Sequence, residues 1–346
     1  MYMKTILLGL TFLISCSLNG QTGGSTSFSL LNLTFNARSA GLGGDFISVR
    51  DNDLNIGISN PCLLNSSMNK TMSLSSSLLA GGINYGMAGY GYQVNKIGSM
   101  ASYIKYISYG TFSRTAVNGT AEGTFSPFEM IAGTSLGREI NPRMAVGTSI
   151  NLLYSQLEIY SALGASVDFS GTYHNDDKGF LVTVLAKNIG YQFKSYVKGN
   201  RALLPVEIQM AASYKVEHAP FRISILAHHL NKWDITYSDP NLIQTIDPLT
   251  GDTIPVASAG FFEKLGRHFT YQLEVLMSKN IHLRFGFDYQ QRKELALEQR
   301  PGIAGMSFGL GLHFSKFSLD YGFVVYSRAG YNNILTLSTN FSEWKK

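Results

Sequence analysis

The sequence predicts an all-β protein, a transmembrane antiparallel β-barrel of about 14 strands with an N-terminal plug segment. Three observations point there. Charged residues make up only 15% of the 346-residue chain, while Gly (35), Tyr (19) and Phe (21) abound. This mix suits Gly-bounded strands with aromatic faces and departs from the roughly 25% charge of soluble domains. Apolar and polar residues alternate with period two along much of the chain, and the connections between these segments alternate in length.

The alternation is plain in Ile281-His282-Leu283-Arg284-Phe285-Gly286-Phe287-Asp288-Tyr289, where odd positions are apolar and even ones polar or Gly. It recurs at Phe317, Leu319, Tyr321, Phe323 and Val325, and again at Val206, Ile208, Met210, Ala212 and Tyr214. Leu163, Ala165, Val167 and Phe169 repeat it. A strand sends successive side chains to opposite faces, so each segment has one apolar and one polar face. Strands are expected near 71–79, 84–94, 97–109, 126–138, 142–154, 160–173, 179–189, 205–216, 220–231, 267–278, 281–291, 303–314, 316–326 and 333–341. Tight connections such as Asn95-Lys96 and Lys279-Asn280 alternate with longer ones at 110–125, 190–204, 232–266, 292–302 and 327–332. Short turns on one side and long loops on the other mark a membrane barrel; a soluble sandwich has no reason to sort its loops by parity. The connections 80–83 and 155–159 are shorter than this rule asks.

Residues 1–20 read as a signal peptide. Lys4 supplies the cationic start, Ile6 to Ile14 a short apolar run, and the small residues before Gln21 a cleavage site after Gly20. The run is too short to span a bilayer as a helix. Leu13-Ile14-Ser15-Cys16 also fits a lipobox, which leaves lipidation of Cys16 as an alternative to plain cleavage. Residues 21–70 are Gly-, Asn- and Ser-rich, yet Phe28, Leu30, Leu31, Leu33 and Phe35 need burial. They are assigned to a plug or hatch inside the barrel, the alternative being an irregular tail; the barrel itself is 71–346. Cys62 has no metal-ligand neighbours and reads as a small core residue.

The net charge of +5 is scattered, with no run of five cations, which disfavours nucleic acid and suits a membrane protein facing anionic lipid. Asp51-x-Asp53-x-Asn55-x-Gly57 resembles a calcium loop but has Ile56 where Gly is required and Cys62 where the bidentate Glu belongs. His228 and His229, adjacent on an alternating strand, are expected on opposite faces, which disfavours a metal site. Gly309-Leu310-Gly311-Leu312 lies inside a strand and opens no helix, and no Gly-x-Ser-x-Gly turn occurs. No catalytic residue, metal site or cofactor is therefore expected. Two candidate sites remain. Arg38, Asn60 and Pro61 are expected to hold the plug, with Asp51 and Asp53 as candidate partners of Arg38. The 232–266 connection is the longest, and Trp233, Phe261 and Phe262 are its expected partner-binding anchors, packing on the barrel rim being the alternative.

Ala37-Arg38-Ser39-Ala40-Gly41-Leu42-Gly43-Gly44, then Asp51 to Asp53, then Asn60-Pro61, resembles the N-terminal signature of the PorV/PorQ-type barrels, which are similar to the FadL hydrocarbon transporters. That family usually has Ala after Asn-Pro; Cys62 is a small-for-small change. Tyr109-Gly110-Thr111-Phe112, Gly123-Thr124-Phe125, Glu158-Ile159-Tyr160-Ser161-Ala162, Lys187-Asn188-Ile189-Gly190 and His218-Ala219-Pro220-Phe221-Arg222 resemble the PorQ branch. The resemblance runs over essentially the whole mature chain. It implies a component of the type IX secretion system, which exports cargo bearing a C-terminal signal and attaches it to the cell surface. It also implies partners: a PorZ-like surface protein held by the barrel, with a PorU-like sortase and a PorV-like barrel in the same attachment complex. The FadL likeness implies an alternative, an outer-membrane transporter of hydrophobic small molecules. A transporter needs a lateral opening, an apolar pocket and a mobile plug; an anchor needs a closed barrel and an adhesive extracellular surface. An outer-membrane lipid hydrolase would need a Ser or His cluster at the lipid boundary, and the sequence shows none.

The mature chain is expected to begin near Gln21 and to remain in the outer-membrane fraction after carbonate extraction. Intact-mass analysis and fractionation check both, and a carbonate-soluble periplasmic protein would contradict the barrel.

Overall fold

The computed structural model describes residues 27–236, 245–246, 253–254, 259–296, 302–326 and 330–344. The expected signal peptide and most of 237–258 lie outside the described residues. Among them, 14 strands close into one antiparallel barrel, each paired with its neighbours in sequence. They are β1 (Thr71–Leu78), β2 (Asn84–Val94), β3 (Gly98–Ser108), β4 (Phe128–Asn141), β5 (Met144–Leu157) and β6 (Tyr160–Asn175). There follow β7 (Phe180–Lys194), β8 (Glu207–Lys215), β9 (Phe221–Ala227), β10 (Phe269–Leu276) and β11 (Ile281–Asp288). β12 (Met306–His313), β13 (Phe317–Val325) and β14 (Tyr331–Asn340) complete the wall. β14 pairs with β1 in the register Thr71↔Asn340, which removes both sheet edges.

The side-chain faces decide between barrel and sandwich. On β10, Glu274 is 1% exposed and Tyr271 49%; on β11, Arg284 is 1% exposed and its neighbour Phe285 40%. Polar residues point inward and apolar ones outward, the inverse of a soluble sandwich and the arrangement that surrounding hydrocarbon selects. Among the described residues, no helix is long and apolar enough to cross a membrane.

β7 runs on to Lys194, five residues past its expected end, and four other details depart from expectation. β9 stops at Ala227 because His229 takes a φ of 54°. β11 stops at Asp288, whose carboxylate accepts from the Gln291 amide at 2.9 Å and caps a helix over Tyr289–Leu295. The 155–159 connection shrinks to a two-residue turn between β5 and β6, with Glu158 at φ 56°. Phe341 falls just past β14, in a 3-10 turn over Phe341–Trp344. The loop after β3 carries its own hairpin, Phe112–Thr115 against Ala121–Phe125.

Residues 27–70 fill the lumen. Helix α1 (Ala37–Gly41) is capped by Asn36, whose side chain accepts from the Ser39 amide, and α2 (Leu54–Ser59) by Asp53. Plug backbone meets wall backbone at glycines on the inner face. A Cβ on Gly286 would lie 2.2 Å from the Leu42 carbonyl carbon, and one on Gly147 2.2 Å from the Cys62 nitrogen. Gly309, in the Gly-Leu-Gly-Leu run of β12, faces Gly41 of α1 in the same way.

Gly286→Ala is expected to push the plug off β11 and to destabilise the barrel by about 1–3 kcal/mol, the usual cost of overpacking. Gly171→Ala is the control, because a Cβ there meets nothing within 4 Å. Heat-dependent migration on a gel of the folded barrels compares the two; equal melting would show that the plug yields freely.

Candidate functional site

The plug is pinned by a buried charge network. Arg38 on α1 donates from Nε to Glu274 Oε1 at 2.8 Å and from Nη2 to Oε2 at 3.0 Å, a two-pronged contact with β10. Its Nη1 reaches Asp51 at 2.7 Å and Asp53 at 3.3 Å. The guanidinium also lies 5.1 Å from the centre of the Phe46 ring. The wall adds two arginines: Arg222 donates to Glu274 at 2.6 Å, and Arg284 bridges Glu274 at 3.2 Å and Asp320 at 2.6 Å. Burial pushes the Asp51 and Asp53 carboxyls up; Arg38 and Arg222 together more than offset this for Asp51, held below the ordinary value, while Asp53 stays raised. Of the two, Asp51 is the acid that supports the plug at neutral pH, and its contribution falls away as pH drops through its lowered pKa.

Asn60 and Pro61 act on a different sector of the wall. Asn60 is fully buried; its Nδ2 donates to the Ile47 carbonyl and to Thr183 Oγ1 on β7, both at 2.9 Å. Pro61 opens a 3-10 turn over Pro61–Leu63 that presses on Gly147 of β5. The Cys62 amide donates to Ser170 Oγ on β6 at 2.9 Å, and its thiol to Asn60 Oδ1 at 3.1 Å. Burial pushes that thiol's pKa up, so Cys62 is a packed, unreactive residue.

Two cavities flank the plug. One, of about 60 Å³, lies below Leu30 and Phe35 among Asp45, Lys105, Asp168 and Lys187; it has room for about two waters. The other is a vestibule of about 760 Å³ at the short-turn end, lined by Arg38, Asp51, Arg222, His282, His313 and Lys316. Neither is the apolar pocket that a hydrophobic ligand requires.

At the long-loop end, the rings of Trp233 and Phe261 pack at a tilt with centroids 5.2 Å apart, and Phe261 meets Phe262 edge-on at 5.5 Å. They are 51%, 61% and 84% exposed. Helix α3 (Phe261–Gly266) carries the two phenylalanines, and Lys264 on it pairs with Asp234 at 2.6 Å. That contact holds the Asp234 carboxyl down to about 2. Beneath, His268 has one ring nitrogen 2.8 Å from the His228 carbonyl and the other 3.0 Å from the Trp233 carbonyl. The structure thus brings Trp233, Phe261 and Phe262 into one group at the mouth, and Arg38, Asp51 and Asp53 into another in the lumen.

No protein-family model and no curated protein matches the chain. Solved structures do. The toluene transporter TodX of Pseudomonas putida is similar with a TM-score of 0.52 at 12% identity, over 89% of this chain and 98% of TodX. The TodX monoaromatic hydrocarbon channel deltaS2 mutant gives 0.53 at 13%, over 91% and 100%. A FadL homologue of Pseudomonas aeruginosa aligns over 89% of this chain and 98% of its own, with a TM-score of 0.47 at 9% identity. The fold, a closed 14-strand antiparallel barrel, is similar to that of TodX. It is the TodX pair that carries this, and at such identity it carries the fold alone; nothing among the comparisons bears on a PorQ-type identity.

Sequence reasoning missed Glu274, Arg284, Asp320 and Arg222. The signal was available: each is a charged residue on the polar phase of an alternating strand, where it must face the lumen. Arg38→Ala takes one cation from the buried Glu274 and leaves the partly buried Asp51 and Asp53 without theirs. It is expected to lower plug stability by about 3–5 kcal/mol, as breaking one side of a buried pair does. A lower melting temperature with assembled barrel still present checks this; unchanged melting would mean that water replaces the guanidinium at no cost.

Proposed function

We propose that the chain is an outer-membrane barrel that anchors a surface partner at its long-loop mouth, in the setting of a type IX secretion attachment complex. The observation that carries the reading is the aromatic group Trp233, Phe261 and Phe262, exposed together at the mouth. Interface energy concentrates in such side chains, and grouped exposed apolar surface marks contact sites. A lumen filled by its plug, with a polar cavity of about 60 Å³ beside it, also supports a closed anchor over a conduit. The type IX setting and a PorZ-like partner, with PorU-like and PorV-like neighbours, rest on the motif resemblance.

The second reading is transport of a hydrophobic small molecule across the outer membrane. It is the reading that the comparisons favour, since TodX is described as a toluene transporter. It requires the plug to leave its charge network.

Replacing Trp233, Phe261 and Phe262 together by Ser is expected to leave the barrel assembled, since none lies on a wall strand. Recovery of a surface protein with the barrel from detergent-solubilised outer membrane should fall roughly tenfold or more. Full retention of that protein would move the docking surface elsewhere. Toluene uptake into vesicles that depends on the wild-type barrel would establish the second reading.

A further inference from the structure

The upper lumen holds an imidazole and carboxylate cluster that neither functional reading uses. Beyond Ala227 the left-handed His229 (φ 54°) cancels the strand alternation, so the two adjacent rings converge instead of facing apart. Their Nδ1 atoms are 2.8 Å apart. Glu207, the first residue of β8, turns inward and places Oε1 3.5 Å from His229 Nδ1. One ligand atom from each of Glu207, His228 and His229 lies within 4.8 Å of the other two.

We propose that Glu207, His228 and His229 form a binding site for one divalent transition-metal ion of the zinc class. Zinc bonds of about 2.0–2.1 Å set two ligand atoms about 2.9 Å apart at a right angle and about 3.4 Å apart at the tetrahedral angle. The separations of 2.8 and 3.5 Å bracket that range. Two imidazoles with one carboxylate select zinc-class ions over calcium or magnesium, which take oxygen donors. The His228 ring is nearly fully buried, and its Nδ1 faces the Nδ1 of His229. The His229 side chain is 37% exposed, which gives an ion a path from the mouth.

The surroundings hold the carboxylate in place. The His229 amide donates to Glu207 Oε1 at 3.3 Å, and Gln209 Nε2 to the same oxygen at 2.8 Å. Lys187 lies 3.1 Å from Glu207 Oε2 and 2.7 Å from Asp45. Its charge opposes a dication, but Asp45 and Glu207 together outweigh it. A bound ion would tie β8 to the first residues after β9. His268, which reaches both the His228 and Trp233 carbonyls, continues that tie to the aromatic group. The site does not depend on which function the barrel serves.

The test is calorimetric titration of tag-free, metal-stripped barrel in detergent with zinc chloride, in excess calcium and magnesium. One zinc per chain is expected. His229→Gln and Glu207→Gln should each weaken binding roughly 10–100-fold or more, by analogy with losses at metal sites. Both are mild replacements, and heat-dependent gel migration confirms assembly; His228→Ala, fully buried, is a supplementary variant. A rival pair, His282 and His313, has rings 4.5 Å apart in the vestibule. Zinc binding lost in His282→Ala but kept in His229→Gln would overturn the proposal, as would no binding or binding indifferent to all three replacements.

Discussion

Arg38 fixes how the rest of the interior is arranged. A guanidinium cannot shed its charge, so once the chain carries it into the lumen it must find acceptors there. It finds two oxygens of Glu274 on the wall and two carboxylates within the plug. Glu274 in turn needs more than one cation at 1% exposure, and Arg222 and Arg284 supply them. Arg284 then requires Asp320 on β13. The plug's register against strands β9 to β13 follows from this chain of requirements. The inner-face glycines follow too, since α1 can sit this close to β12 and β13, and Leu42 this close to β11, only where the wall has no side chain.

Much of this architecture is written in the sequence as period two. The number of strands, their order and the split between short and long connections depend only on alternation and turn residues, which are local. Individual strand ends were less legible. Asp288 looks like one more polar position of an alternating strand, and only its use as a helix cap ends β11 there. His229 is the sharper case. Alternation assigns the two histidines to opposite faces, and a single left-handed residue brings them together. Only a minority of residues adopt that conformation, His among the more frequent, and alternation alone does not say which His will.

The candidate site was legible in its plug half and opaque in its wall half. Arg38 stands out as a lone cation among Gly and Ala, and Asp51 and Asp53 are nearby in sequence. Glu274 is 236 residues away, and only the closed barrel brings it to Arg38. Sequence tells that Glu274 faces inward; which part of the plug meets it depends on how residues 27–70 fold back, and those residues do not alternate. At the mouth, Trp233 and Phe261 are separated by a long connection, and their packing could not be read from either neighbourhood.

The two ends of the lumen differ in what holds them, and this bears on how the barrel could work. Moving the plug requires parting Arg38 from three carboxylates, among them the buried Glu274, and separated buried charges cost several kcal/mol each. The mouth group is held by less: ring contacts, the solvent-accessible pair of Lys264 with Asp234, and the His268 ring between two carbonyls. Exposed pairs contribute little to stability. A partner docking on Trp233, Phe261 and Phe262 can therefore reshape the mouth without disturbing the lumen. A solute crossing the barrel must disturb the lumen, whatever it does at the mouth. The distribution of strong and weak contacts thus places adaptability at the long-loop mouth and rigidity beneath it, a division of labour that suits the proposed anchor.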